Sequence, residues 1–158
     1  MNWTSWIVSG FIATLALSTL LAASQGLHLT RMNLPFLLGT VITEEREKAR
    51  LYGFLAHLIN GWCFSFFYIY IFQVEHMASW WLGLLIGLAH ALFMLTVVMS
   101  ILPSLHPRMA TERKGPVSHR QLEPPGFMAL NYGYQTPLTV LLGHAAFGAI
   151  LGALYQLA

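Results

Sequence analysis

Four long apolar runs, at about residues 4–26, 51–73, 79–102 and 137–155, take up more than half of this 158-residue chain. Each approaches the ~20 residues that a helix needs to cross a bilayer. Lipid on the outside leaves few folds open, because every backbone amide and carbonyl must then be satisfied within the segment. The expectation is an all-α, four-span transmembrane helix bundle, forming one integral membrane domain over 1–158.

The charges sharpen this picture. All eight Lys and Arg residues fall in two connectors: Arg31, Arg46, Lys48 and Arg50 in the first, Arg108, Arg113, Lys114 and Arg120 in the second. The termini and the connector 73–79 have none. Basic residues beside spans favour the cytoplasmic side, so both basic loops are expected inside and both termini outside, in a bacterial cytoplasmic membrane. Only 9% of residues are charged and 56% are hydrophobic, against about 25% charge for a soluble domain. A net charge of +2 confined to two loops suits anionic headgroups and gives no basis for nucleic-acid binding. Cys63 is the sole cysteine, which excludes an intrachain disulfide. Span one lacks a basic n-region and reads as a retained span rather than a signal peptide.

Local signals place the pieces. Trp3 and Trp6 mark the outer end of span one, and Trp80 and Trp81 that of span three. Gly10, Thr14, Ser18 and Ala22 recur every fourth residue, a small-residue stripe suited to close helix packing. Residues 28–42 are too short to span and read as an interfacial segment. Thr43 reads as the N-cap of the next helix, with Glu44–Lys48 and Glu47–Arg50 pairs on its face. Pro103 ends span three. A long irregular cytoplasmic loop then runs to Pro137, with Phe127, Met128, Leu130, Tyr132 and Tyr134 available for burial.

Three histidines lie inside spans: His57, His90 and His144. An ionisable side chain there is costly and marks a candidate site. Each has glycine one turn away: Gly53 and Gly61 beside His57, Gly87 beside His90, Gly148 beside His144. An axial nitrogen next to a side-chain-free recess suits a flat macrocycle, so haem b or a related tetrapyrrole is the expected cofactor. Counting from Leu51 and Pro137 puts His57 and His144 both roughly 10 Å deep and makes them the first-choice axial pair. Counting from Pro103 puts His90 roughly 20 Å deep, as a replacement or second site. His28 and His106 are secondary candidates at the cytoplasmic interface. Hydrogen-bonded structural histidines are the competing explanation, with Asn60 a partner for His57 at i+3. Metal binding and proton transfer remain open. Glu75 with His76 reads as solvated loop, and the aromatic run 64–72 as lipid-facing.

The stretch Glu45-Arg46-Glu47-Lys48-Ala49-Arg50, followed by His57 and Asn60, resembles the start of the second helix in the membrane-associated eicosanoid and glutathione metabolism family. The resemblance covers about sixteen residues. It implies a four-span enzyme with a cytoplasmic-side glutathione site built from arginines and an acid. The inner parts of spans two to four carry no Arg, Lys or Glu to build one. The expected function is therefore a small membrane subunit whose histidines bind a prosthetic group, in electron transfer or within a larger complex. The alternatives are a non-catalytic accessory subunit and a small membrane enzyme. Expected partners are the bilayer and either other membrane subunits or further copies of the chain.

Overall fold

Short polar side chains set where the apolar runs begin as helices. In the computed structural model, which describes residues 1–111, 114–118 and 122–157, Asn2 accepts a hydrogen bond from the Ser5 amide and opens α1 (Trp3–Gly26). Asn33 caps α2 (Leu34–Ile42) in the same way, with Pro35 in a first turn that needs no amide donor. α3 spans Arg46–Val74. Ser79 caps α4 (Trp80–Leu105), and α5 (Thr136–Leu154) starts with Pro137 in its first turn. The helices α1, α3, α4 and α5 are each long and apolar enough to cross a membrane. The chain is an all-α four-span bundle.

Hydrogen bonds tie each end together. The Tyr155 hydroxyl accepts from the Asn2 amide at 3.2 Å and from Gln73 Nε2 at 2.8 Å, so both termini and the 75–79 connector share one end. At the opposite end, the loop end, Arg108 pairs with Glu44 at 3.4 Å and donates to the Thr40 carbonyl. Arg31 pairs with Glu123 at 3.3 Å and donates to the Asn131 carbonyl. The two basic stretches thus meet; Arg113 and Arg120 lie outside the described residues.

Glycine sets the helix spacing. A methyl group built on Gly83 would overlap the Gly148 carbonyl, one on Gly87 the His144 carbonyl, and one on Gly152 the Ser79 carbonyl. Residue numbers rise on α4 as they fall on α5, so the two pack antiparallel at backbone contact. Gly10 meets Trp62 and Ser65, and Gly61 meets Thr14, which places α1 against α3. Ala22, the last member of the α1 stripe, is exposed. In its most apolar window α5 is 44% buried, against 22% for α3 and for α4, so α5 is the central helix.

Four local details depart from the sequence expectation. Thr43 ends α2, its amide donating to Gly39, and α3 opens only at Arg46 with Glu45 as cap. Glu44 is thereby left outside the helix and turns to Arg108, while Lys48 pairs with Glu45 at 2.7 Å; Arg50 pairs with Glu47 at 2.9 Å as expected. The segment after span one is α2, whose Pro35 and Gly39 backbones press on Gly53 and Ala49 of α3 in antiparallel order. Pro103 does not end span three. It sits inside the helix after a π turn at Met94–Val98, and the helix runs on to Leu105.

The connector to α5 is folded over this extension. Ala110 and Leu122 amides donate across it, to Leu122 and Arg108 carbonyls. Met128 and Ala129 take left-handed conformations (φ 50° and 61°) inside the 3-10 segment Phe127–Tyr132. That turn points Ala129 and Tyr132 inward with Met109, but leaves Phe127 (68% exposed), Leu130 and Tyr134 (82%) outward. Three of the five residues expected to bury therefore do not, because the chain reverses handedness at Met128.

Candidate functional site

Two of the three intramembrane histidines, His90 and His144, meet at the junction of two apolar clusters. One cluster, toward the termini, contains Leu17, Tyr68, Phe72 and Phe147. The other, toward the loops, contains Ala91, Leu95, Met99 and Val140. His144 sits on α5 between Val140 and Phe147, and His90 precedes Ala91 on α4.

Their rings interact directly. The His90 and His144 ring centroids are 4.8 Å apart and nearly perpendicular, at 86°. The Tyr68 hydroxyl lies 2.9 Å from His90 Nδ1, and the Phe64 ring packs on the His90 ring with centroids 4.4 Å apart. His144 Nδ1 is 2.9 Å from the Val140 carbonyl, four residues back on its own helix. A carbonyl can only accept, so Nδ1 carries the proton and the lone pair of His144 is on Nε2. His144 is also in electrostatic range of buried His57.

Among the described residues, His57 Nε2 and His90 Nε2 are buried and make no hydrogen bond. A buried polar atom left unsatisfied costs about 1–3 kcal/mol, which simple packing does not recover.

His90 is thus part of the cluster rather than a deeper, separate residue. Depth counted from Pro103 misplaced it because α4 overhangs α5. With Gly87 seated on His144, α4 continues eighteen residues to Leu105, whereas α5 starts only eight residues before His144. The ten-residue difference is about 15 Å. The two prolines do not mark the same level.

The other candidates separate from this group. Gly53, Gly61, Gly87 and Gly148 leave no recess, because neighbouring backbone or the Thr14 side chain fills the space beside each one. A flat macrocycle therefore has no slot next to His57 or His144, and the imidazoles do not fit the tetrapyrrole that their glycine neighbours suggest. Asn60 is exposed on α3 and does not bond His57. His28 is exposed beyond α1. His106 is buried but fully engaged: it donates from Nε2 to the Leu37 carbonyl at 3.0 Å, and its Nδ1 accepts from the Arg108 amide at 3.1 Å. It pins the loop to α2 and has no free lone pair. A cleft of about 860 Å³, lined by Met99, Ser104, His106, Met109, Lys114 and Phe127, lies at the loop end, and none of His57, His90 and His144 lines it.

Sequence reasoning missed Tyr68, grouping it with lipid-facing aromatics. Its position gives it away: Gly53, His57, Gly61, Ser65, Tyr68 and Phe72 follow one another at steps of three and four and are all buried. Among the described residues, no three His, Cys, Asp or Glu side chains are placed to enclose a metal ion. The donor set is instead two adjacent imidazoles, with His57 as a third nitrogen in electrostatic range of His144. Comparison with known proteins finds no matching family model, curated protein or solved structure, so the resemblance at 45–60 stays local.

Proposed function

We propose that this chain is a small integral membrane subunit that holds a transition-metal ion on His90 and His144, with its loop end in the cytoplasm. The observation that supports this is that both adjacent rings have Nδ1 held by a polar neighbour, with the Nε2 of His90 buried and without a hydrogen-bond partner among the described residues. His144 Nδ1 donates to Val140 and His90 Nδ1 faces the Tyr68 hydroxyl. Metal-ligating histidines characteristically have the far nitrogen held by a carbonyl or another polar group, which fixes tautomer and ring angle. Imidazole nitrogen suits copper, zinc, iron and nickel. Two protein ligands leave coordination positions open for groups from outside the chain.

Elemental analysis of the protein, purified in its own lipids and dialysed, tests this. A stoichiometric metal is expected, absent from His90→Gln and His144→Gln. Tyr68→Phe should weaken its affinity by about 10–100-fold. A Soret band would instead reveal a macrocycle and refute the packing argument at the glycines. If neither metal nor colour is found, the metal reading fails. An accessory subunit then explains the chain better, with exposed Phe127, Leu130 and Tyr134 as its docking surface.

A further inference from the structure

Asn60 is a carboxamide on the outside of a membrane span. Its neighbour Gly61 packs on Thr14, the twelfth of the 24 residues of α1, so Asn60 lies near the middle of the bilayer. Three other exposed polar side chains in the interior of the spans are satisfied within their own helices. Thr19, Thr96 and Ser100 each donate to the carbonyl four residues earlier, at 2.7–2.8 Å. Asn60 is exposed and no hydrogen bond of its side chain is found among the described residues. Lipid tails offer it none either, and such a group is stable only against another polar group.

We propose that two copies of this chain associate through α3, with Asn60 paired to Asn60 across a two-fold axis normal to the membrane. A carboxamide carries both donor and acceptor, so it is complementary to itself, and a two-fold axis lets each amide donate to the other's oxygen. Both copies have the same orientation in the bilayer, so the two α3 helices run parallel. The residues around Asn60 fit that arrangement. Asn60, Cys63, Phe67, Tyr70 and Val74 are all exposed and follow at steps of three, four, three and four, the spacing of a parallel two-helix seam. The opposite face of α3, with His57, Gly61, Ser65, Tyr68 and Phe72, is buried in the bundle, so the seam leaves the imidazole site untouched. The proposal does not depend on what that site binds.

Cys63 reports on the seam directly. It lies one turn from Asn60 on the same face, and in a parallel pair it opposes its own copy within disulfide reach. Mild oxidation of native membranes should convert the wild-type chain to a covalent dimer. Asn60→Val faces lipid and should fold, yet weaken association by roughly tenfold in a dilution series in lipid, with the cross-linked fraction falling accordingly. Asn60→Gln, which keeps the amide, should retain most of the dimer. The proposal is overturned by a monomer with no cross-link, by a cross-link to a different protein, by a ladder extending beyond two chains, or by a dimer that Asn60→Val leaves unchanged.

Discussion

Replacing Gly148 by alanine puts the bundle's packing to a quantitative test. Alanine is the better helix former by about 1 kcal/mol, so propensity alone predicts a gain. The structure predicts a loss. The new methyl would overlap the Gly83 carbonyl oxygen and lie within 3.1 Å of the Tyr68 ring, and the obstacle is chiefly backbone, which cannot rotate away. Overpacking of this kind costs about 1–3 kcal/mol, with the upper part of that range expected where backbone must move. The net change is a destabilisation of about 1–2 kcal/mol. At about 2–4 °C per kcal/mol for a chain of this length, the unfolding midpoint should fall by about 2–8 °C. Gly26→Ala supplies the control: nothing lies within 4 Å of its added methyl, so its midpoint should hold or rise. Tryptophan fluorescence melts of both variants in the same micelle decide the matter. Shifts of equal sign and size would refute the claim that α4 and α5 touch through their glycines.

Three further outcomes follow from the loop end. His106→Ala removes the acceptor of the Arg108 amide and the donor to Leu37, and should cost about 1–3 kcal/mol, read as faster hydrogen exchange at Arg108 and Met109. Burial, then Glu123, raises the Tyr132 hydroxyl to about 12 against the opposing effect of Arg31. Because the folded value lies above the unfolded value of about 10, its contribution is intact below pH 10 and is lost as pH rises toward 12. Proteolysis of the connector should accelerate across that window, and Tyr132→Phe should remove the titration. For topology, a cysteine at Gly115 in a Cys63→Ser background should react with an impermeant reagent only after the membrane is opened; labelling of intact cells would reverse the orientation.

The helices were legible and the heights were not. Helix limits read from apolar length and caps agree with the structure within a few residues, α3 opening at Arg46 where a start near Thr43 is expected, because bilayer thickness and backbone satisfaction leave little choice. The glycines were legible as helix contacts, yet not as which contacts: Gly87 marks the level of His144 only once α4 lies on α5. That register depends on the overhang of α4, and the π turn with an internal Pro103 gives no simple apolar pattern to count. Tyr68 was hidden for a related reason. Aromatic side chains serve lipid and core alike, and only its place in the buried row with His57 and Gly61 separates the two roles.

Charge restricts what the imidazole pair can hold. No Glu lies deeper in a span than the first turn of α3, and the chain has no Asp, so the site has neutral ligands and no carboxylate to balance a cation. An unpaired charge in a low-dielectric interior is costly, and that cost rises steeply with valence. If the pair holds a metal as proposed, a monovalent ion is therefore favoured over a bare divalent one, which makes cuprous copper the first metal to test among those that imidazole binds. A divalent ion would have to enter with an anionic co-ligand. Gly87→Ala separates the roles of fold and site here, since its methyl presses on the His144 carbonyl and alters the spacing of the two rings without removing a nitrogen. Under reducing conditions copper should bind the wild type and bind Gly87→Ala more weakly, with both variants still folded. Equal copper affinity in the two would show that the α4–α5 contact does not set the spacing of the pair.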